Sequence, residues 1–127
     1  MRISKKSEYG LIAMVHLARN KNKKAVSIRQ ISNIEGVPFD FLSKIFSALE
    51  KAGLINSKHG ANGGYFLAKS SDKISVLDVI KLLENINTVK CGLCSKSKKC
   101  FTKTVFKKVD QVIGKTLSSI KLSHLIK

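Results

Sequence analysis

Residues 27–70 read SIRQISNIEGVPFDFLSKIFSALEKAGLINSKHGANGGYFLAKS, and this stretch decides the fold. Ser27 followed three residues later by Gln30 has the form of a capping box, in which hydroxyl and amide each serve the other's backbone N–H. A helix is expected to open there and run through Ile28, Ile31 and Ile34 until Gly36 ends it. Pro38, with its fixed φ and no N–H, suits the first position of a second helix, which continues to Ala52 and stops at Gly53. That helix is expected to carry Phe41, Leu42, Ile45, Phe46 and Leu49 inward and to show Asp40, Ser43, Lys44, Ser47 and Lys51 outward. Two short helices about a tight glycine turn have the layout of a helix-turn-helix.

Directly downstream, LINSKHG and YFLAKS are short strand-like runs joined by Gly60-Ala61-Asn62-Gly63-Gly64, a composition that permits positive φ at a hairpin tip. A basic hairpin after a helix-turn-helix reads as a wing, with Lys58 and His59 at its tip placed to reach phosphates or a minor groove. Upstream, residues 5–20 place Leu11, Ile12, Val15 and Ala18 on one face at helical spacing. Ser75 and Asp78 repeat the capping pattern ahead of a helix with Val76, Val79, Ile80, Leu82 and Leu83, ending near Asn85. Residues 86–99 have no helical period. Beyond Cys100, Val105, Phe106, Val109, Val112, Ile113, Thr116, Leu117 and Ile120 form a long apolar stripe. A chain of 127 residues has little body to cover such a stripe, so a twin helix in a homodimer is expected.

The fold class expected is mainly α with a small β-hairpin wing, a winged helix-turn-helix plus a long C-terminal dimerisation helix. Its parts are the DNA-binding unit at 1–85, a cysteine loop at 86–100, and the dimerisation helix and tail at 101–127.

The charge fits a polyanion partner: 24 Lys and Arg stand against 8 Asp and Glu, a formal +16. A basic module binding nucleic acid non-specifically or lying on a membrane surface is the rival reading of that charge. Basic residues precede an apolar run in MRISKKSEYGLIAMVHLARN, but Glu8, His16 and Arg19 interrupt it and no small-residue cleavage site follows. Neither a signal peptide nor a membrane span is expected, and the location read from this is cytoplasmic. The chain has no Ser/His/Asp set, phosphate-binding glycine motif or paired carboxylates, and a cysteine nucleophile would lack a base, so an enzyme is not expected.

The three cysteines, Cys91, Cys94 and Cys100, fall in CGLCSKSKKC at spacings of two and five residues. In a reducing cytosol an odd, clustered set reads as metal or redox chemistry before structural disulfides. A compact loop brings thiolates around one soft centre, an iron–sulfur cluster or zinc, and Lys90, Lys96, Lys98 and Lys99 would lower the thiol pKa values. A thiol switch uses the same chemistry. His16, His59 and His124 are all distant in sequence, and a zinc knuckle would draw its fourth ligand locally, which favours a labile cluster.

As a set these residues resemble the Rrf family of bacterial winged-helix regulators, of the IscR, NsrR and RirA type. The opening MRISK with Tyr9, the runs SIRQIS, FLSKIFSALEKAGLI, HGANGGYFLAKS and ISVLDVIKLLEN, and the cysteine loop before a long helix occur in family order over essentially the whole chain. The resemblance implies a dimer whose terminal helices cross between subunits and whose binding to a dyad-symmetric DNA operator is controlled by an iron–sulfur cluster, the two-iron form favoured over the four-iron form. It implies Cys91, Cys94 and Cys100 as cluster ligands, although the first spacing is two residues where many relatives have about five. Some members use a histidine three residues after the last cysteine, where this chain has Lys103. Others use a carboxylate near the partner's N-terminus, which makes Glu8, supplied in trans, the expected fourth ligand. The DNA contacts implied are Arg2 and Arg29; Pro38, Phe39, Asp40, Ser43, Lys44 and Ser47; and, in the wing, Lys58, His59, Asn62, Gly63 and Tyr65. Many relatives carry arginine at the position of His59, so the histidine implies an altered operator preference or pH sensitivity.

Overall fold

The first helix, α1 (Lys5–Arg19), begins where the Ser4 hydroxyl accepts the Ser7 N–H at 3.3 Å. The computed structural model describes residues 3–20, 24–84 and 101–126. Helix α1 buries Ser7, Gly10, Ala13, Met14 and Leu17. This corrects the expected inward face: Leu11, Ile12, Val15 and Ala18 are only half-buried, along its flanks. Gly10 permits a close approach to the helix that carries Leu83, since a Cβ added there would collide with the Leu83 side chain.

Both halves of the capping box at α2 (Ile28–Glu35) are made. The Gln30 N–H donates to Ser27 Oγ at 3.1 Å and the Ser27 N–H to Gln30 Oε1 at 2.9 Å. Gly36 ends the helix in the left-handed region at φ 70°. In α3 (Phe39–Lys51), Pro38 caps the helix instead of opening it: its ψ of 134° is extended, and its carbonyl accepts the Leu42 N–H at 3.1 Å. Leu42, Ile45, Phe46 and Leu49 are buried as expected, but Phe41 is 40% exposed. Its ring lies at the rim of the core, edge-on to Tyr9 at 5.3 Å, because position 41 falls just outside the stripe that faces α1.

Strands β1 (Ile55–Lys58) and β2 (Gly64–Leu67) pair antiparallel with Ile55 opposite Leu67 and Lys58 opposite Gly64. On the far side of β2, Val26 exchanges two backbone bonds with Tyr65, at 2.9 and 2.8 Å, which ties the approach to α2 onto the wing. Gly64, at φ 152°, makes that approach possible: a side chain there would strike the Val26 backbone.

After a 3-10 turn at Ser71–Lys73, α4 (Val76–Leu83) opens on a second complete capping box between Ser75 and Asp78. Partial burial raises the Asp78 pKa, but bonds from the Ser75 backbone and hydroxyl, with Lys81 and Lys121 nearby, hold it below the usual carboxylate value. Helix α5 (Phe101–Ser119) has no buried residue and packs against α4. The chain then turns back. Ile120 accepts the Val76 N–H at 2.8 Å, the Leu122 N–H reaches Ile74 at 2.9 Å, and α6 (Leu122–Leu125) drives Leu122 into the core. The architecture is a mainly helical winged helix with a two-stranded hairpin and a long C-terminal helix, its core gathered between α1, α3 and α4.

Candidate nucleic-acid interface and cysteine segment

The outward face of α3 is fixed by what its inward face buries. With Leu42, Ile45, Phe46 and Leu49 in the core, Asp40, Lys44, Ser47 and Lys51 line the opposite side, exposed, while Ser43 is half-buried at its edge. Pro38 and Phe39 stand exposed at the N-terminal end of the same helix. Arg29, in the first turn of α2, lays its guanidinium over the Phe39 ring, 4.8 Å from the centroid.

The wing stands beside these helices. Lys58 ends β1, His59 follows it, and both are exposed, as is Asn62. Gly63 makes the tip by donating its N–H to the Gly60 carbonyl at 3.0 Å, and a side chain there would strike the Lys58 and Gly60 carbonyls. Its contribution is to the turn. Tyr65 also has a structural place: its ring meets Phe46 edge-on at 4.9 Å and its backbone holds Val26, so it faces the core more than the outer surface.

Between wing and α2 lies an open groove of about 520 Å³ bounded by Lys24, Ser27, Gln30, Lys58, Asn62 and Gly63. Neither Lys24 nor Gln30 is among the DNA contacts expected from the sequence, where Gln30 enters only as the capping partner of Ser27. The signal available was the basic break before Ser27, but only the Val26–Tyr65 bridge brings it beside the hairpin. The combined surface, a helix face with a cationic hairpin at its flank, has the shape and charge of a surface for duplex nucleic acid.

Arg2 and the three cysteines lie outside the described residues. Among the described residues no group of three metal-binding side chains occurs. Glu8 sits in the first turn of α1, exposed, with the exposed Lys5 ammonium at 3.2 Å. Such a pair is held weakly, so the carboxylate can exchange partners. Lys103 is exposed on α5. Glu84, which closes α4 and is the last described residue before the cysteines in sequence, accepts the Ser4 N–H with both carboxylate oxygens, at 3.0 and 3.2 Å. No helix among the described residues is long and apolar enough to cross a membrane.

Comparison with known proteins agrees with this geometry. Residues 3–127 match the family described as Rrf2, iron-dependent transcriptional regulator. The HTH-type transcriptional regulator IscR of Klebsiella pneumoniae is 32% identical over 130 residues, covering 99% of this chain and 80% of that protein. Among solved structures, IscR of T. potens superposes with a TM-score of 0.83 at 33% identity, covering 99% of this chain and 86% of the other. CymR, the global cysteine regulator of B. subtilis, superposes with a TM-score of 0.84 at 28% identity, covering 99% and 96%.

Proposed function

The chain belongs to the Rrf2 family of DNA-binding transcription regulators, and we propose that this member binds a dyad-symmetric operator as a homodimer, under the control of an iron–sulfur cluster held by Cys91, Cys94 and Cys100. The observation that carries the DNA reading is the exposed face of α3 beside a wing bearing Lys58 and His59. One such unit covers a half-site, with α3 in the major groove and the hairpin along the flanking backbone. Asp40, Ser43, Lys44 and Ser47 are the candidates for base edges, and the lysines supply a salt-dependent affinity for phosphate. Arg2 completes the contacts from the N-terminus. The site of action is the cytoplasm, where the DNA is.

Helix α5 supports the dimer. Phe101, Val105 and Val112 are 88%, 58% and 59% exposed, and with Val109 they follow one stripe along a 19-residue helix. A second copy of the same helix covers such a stripe symmetrically.

For the cofactor, the donor set fits: three thiols within ten residues suit iron–sulfur ligation, and Glu8 of the partner subunit is the candidate fourth donor. When bound, such a cluster supplies a redox- and ligand-sensitive crosslink among its donors, with the two-iron form preferred. The protein's part is to convert a change at the cysteines into a change at the DNA. Glu84 stands immediately before the cysteine segment and holds Ser4, the residue that starts α1. A shift of the segment is thereby felt at the N-terminus of α1, which packs on both α3 and α4, and the spacing between the two recognition helices of the dimer changes.

A second reading keeps the DNA interface and makes the cysteines a thiol switch or zinc site. The likeness to CymR, a cysteine regulator, favours it as the rival. Purification without oxygen decides between them: iron and acid-labile sulfide in the wild type, lost in Cys94→Ala, support the cluster. Colourless protein after anaerobic reconstitution, or protein holding only zinc, removes it.

A further inference from the structure

We propose that Arg29 and Phe39 form a single DNA-contacting unit, in which the Phe39 ring holds the Arg29 guanidinium flat at the foot of α3 so that it clamps a backbone phosphate beside the bases that α3 reads. This rests on the DNA-binding reading above and assigns to the pair a role that neither residue has alone.

Arg29 is the second residue of α2 and Phe39 the first of α3, so their contact spans the turn of the helix-turn-helix. The guanidinium carbon lies 4.8 Å from the ring centroid, within the range of a cation–π contact. Both residues are exposed, and Phe39 is one of the large apolar side chains left on the surface, at 38% exposure. An aromatic ring kept at the tip of a DNA-facing helix gains little from burial there; as a platform it removes rotamer freedom from a long cationic side chain. The ion pairs Lys5–Glu8, His16–Glu35 and Lys81–Asp78 leave Arg29 aside. Among the described residues its donors are not spent on a carboxylate, and its place is set by the Phe39 ring.

Position decides what they meet. In a helix-turn-helix the first helix crosses the sugar–phosphate backbone while the N-terminal residues of the second approach base edges. Arg29 belongs to the crossing helix and leans on the tip of the reading helix, which puts its fork at the phosphate bordering the major groove. Arginine matches that acceptor with paired N–H groups, and pre-orientation on an aromatic face lowers the entropy lost on binding. The groove lined by Lys24, Gln30 and Lys58 adds further cationic groups between α2 and the wing.

The test uses a duplex selected by the wild-type protein from a random pool, with single-base-pair variants of it, over a salt series. Arg29→Ala is expected to weaken all variants by a common factor and to lower the salt slope by about one per subunit. Phe39→Leu, which keeps an apolar side chain but removes the ring face, is expected to reproduce part of that loss and to add nothing when combined with Arg29→Ala. Wild-type melting temperatures for the variants are the control for folding. The inference is overturned if Arg29→Ala binds as wild type, if its loss is confined to one base pair with the salt slope unchanged, or if the two losses multiply. If the wild type itself selects no duplex over random DNA, the DNA reading fails first, a result distinct from all of these.

Discussion

The carboxylate of Glu84 accepts the backbone N–H of Ser4 through both oxygens, at 3.0 and 3.2 Å, across 80 positions of sequence. It joins the last turn before the cysteine segment to the N-cap of α1. A hydrogen bond to a charged acceptor in a part-buried place contributes about 1.5–3 kcal/mol. Glu84→Ala is therefore expected to lower stability by about 1–2 kcal/mol in urea unfolding, with Glu84→Gln, which keeps an acceptor, losing less. The same change is expected to shrink the difference in operator affinity between cluster-loaded and cluster-free protein. A Glu84→Ala protein with wild-type stability and an undiminished difference would show that the contact transmits nothing.

Gly10 gives a prediction whose sign is informative. Alanine in a helix interior ordinarily stabilises by about 0.5–1 kcal/mol over glycine. Here the added Cβ meets the Leu83 side chain, so Gly10→Ala is expected to destabilise by about 1–3 kcal/mol through overpacking between α1 and α4. Thermal unfolding reads the outcome directly, and a raised Tm would mean that α4 yields easily.

Much of the fold is legible in the sequence where its signals are local. Both capping boxes, Ser27–Gln30 and Ser75–Asp78, join residues three apart and are made in full, and the glycine-rich tip marks the hairpin. The inward face of α1 is not legible by the same means, because the helix buries Ser7, Gly10 and Ala13 along with Met14 and Leu17 and leaves Leu11, Ile12 and Val15 on its flanks. The Val26–Tyr65 bridge, the Ser4–Glu84 contact and the return of Leu122 into the core join distant positions that no periodicity encodes. At the interface the residue types of α3 and the wing are readable, whereas the groove at Lys24 and the stacking of Arg29 on Phe39 depend on how the turn folds. The cysteine readings lie outside the described residues.

The α5 stripe predicts the assembly. Val105→Asp with Val112→Asp places charges on a face that is exposed in one chain and covered by a second copy in the proposed dimer. Sedimentation is expected to show wild-type dimers and variant monomers with helical content retained. Operator binding should fall steeply in the variant, since each half-site is then held by one subunit alone. A dimeric variant would move the interface elsewhere.

Asp78 gives a pH dependence. Desolvation opposes ionisation, but the Ser75 bonds and the neighbouring Lys81 and Lys121 prevail, and the folded-state pKa lies below the ordinary carboxylate value. A group with a lowered folded pKa adds stability that is present above its unfolded pKa and is lost as pH falls through the folded one. Asp78→Ala should thus cost about 1 kcal/mol near neutrality, and the gap between variant and wild-type Tm should narrow as the pH falls from neutrality through and below the ordinary carboxylate range. A gap independent of pH over that range would exclude the ionised carboxylate as its source.

The most direct test of the central claim is the affinity of anaerobically purified protein for one selected operator duplex, measured before and after removal of its iron, with Cys94→Ala alongside. Control by the cluster predicts that iron removal changes the affinity about tenfold or more, and that Cys94→Ala behaves as the iron-free form under both conditions. Equal affinity with and without iron would contradict it, leaving a DNA-binding regulator whose cysteines answer to something else.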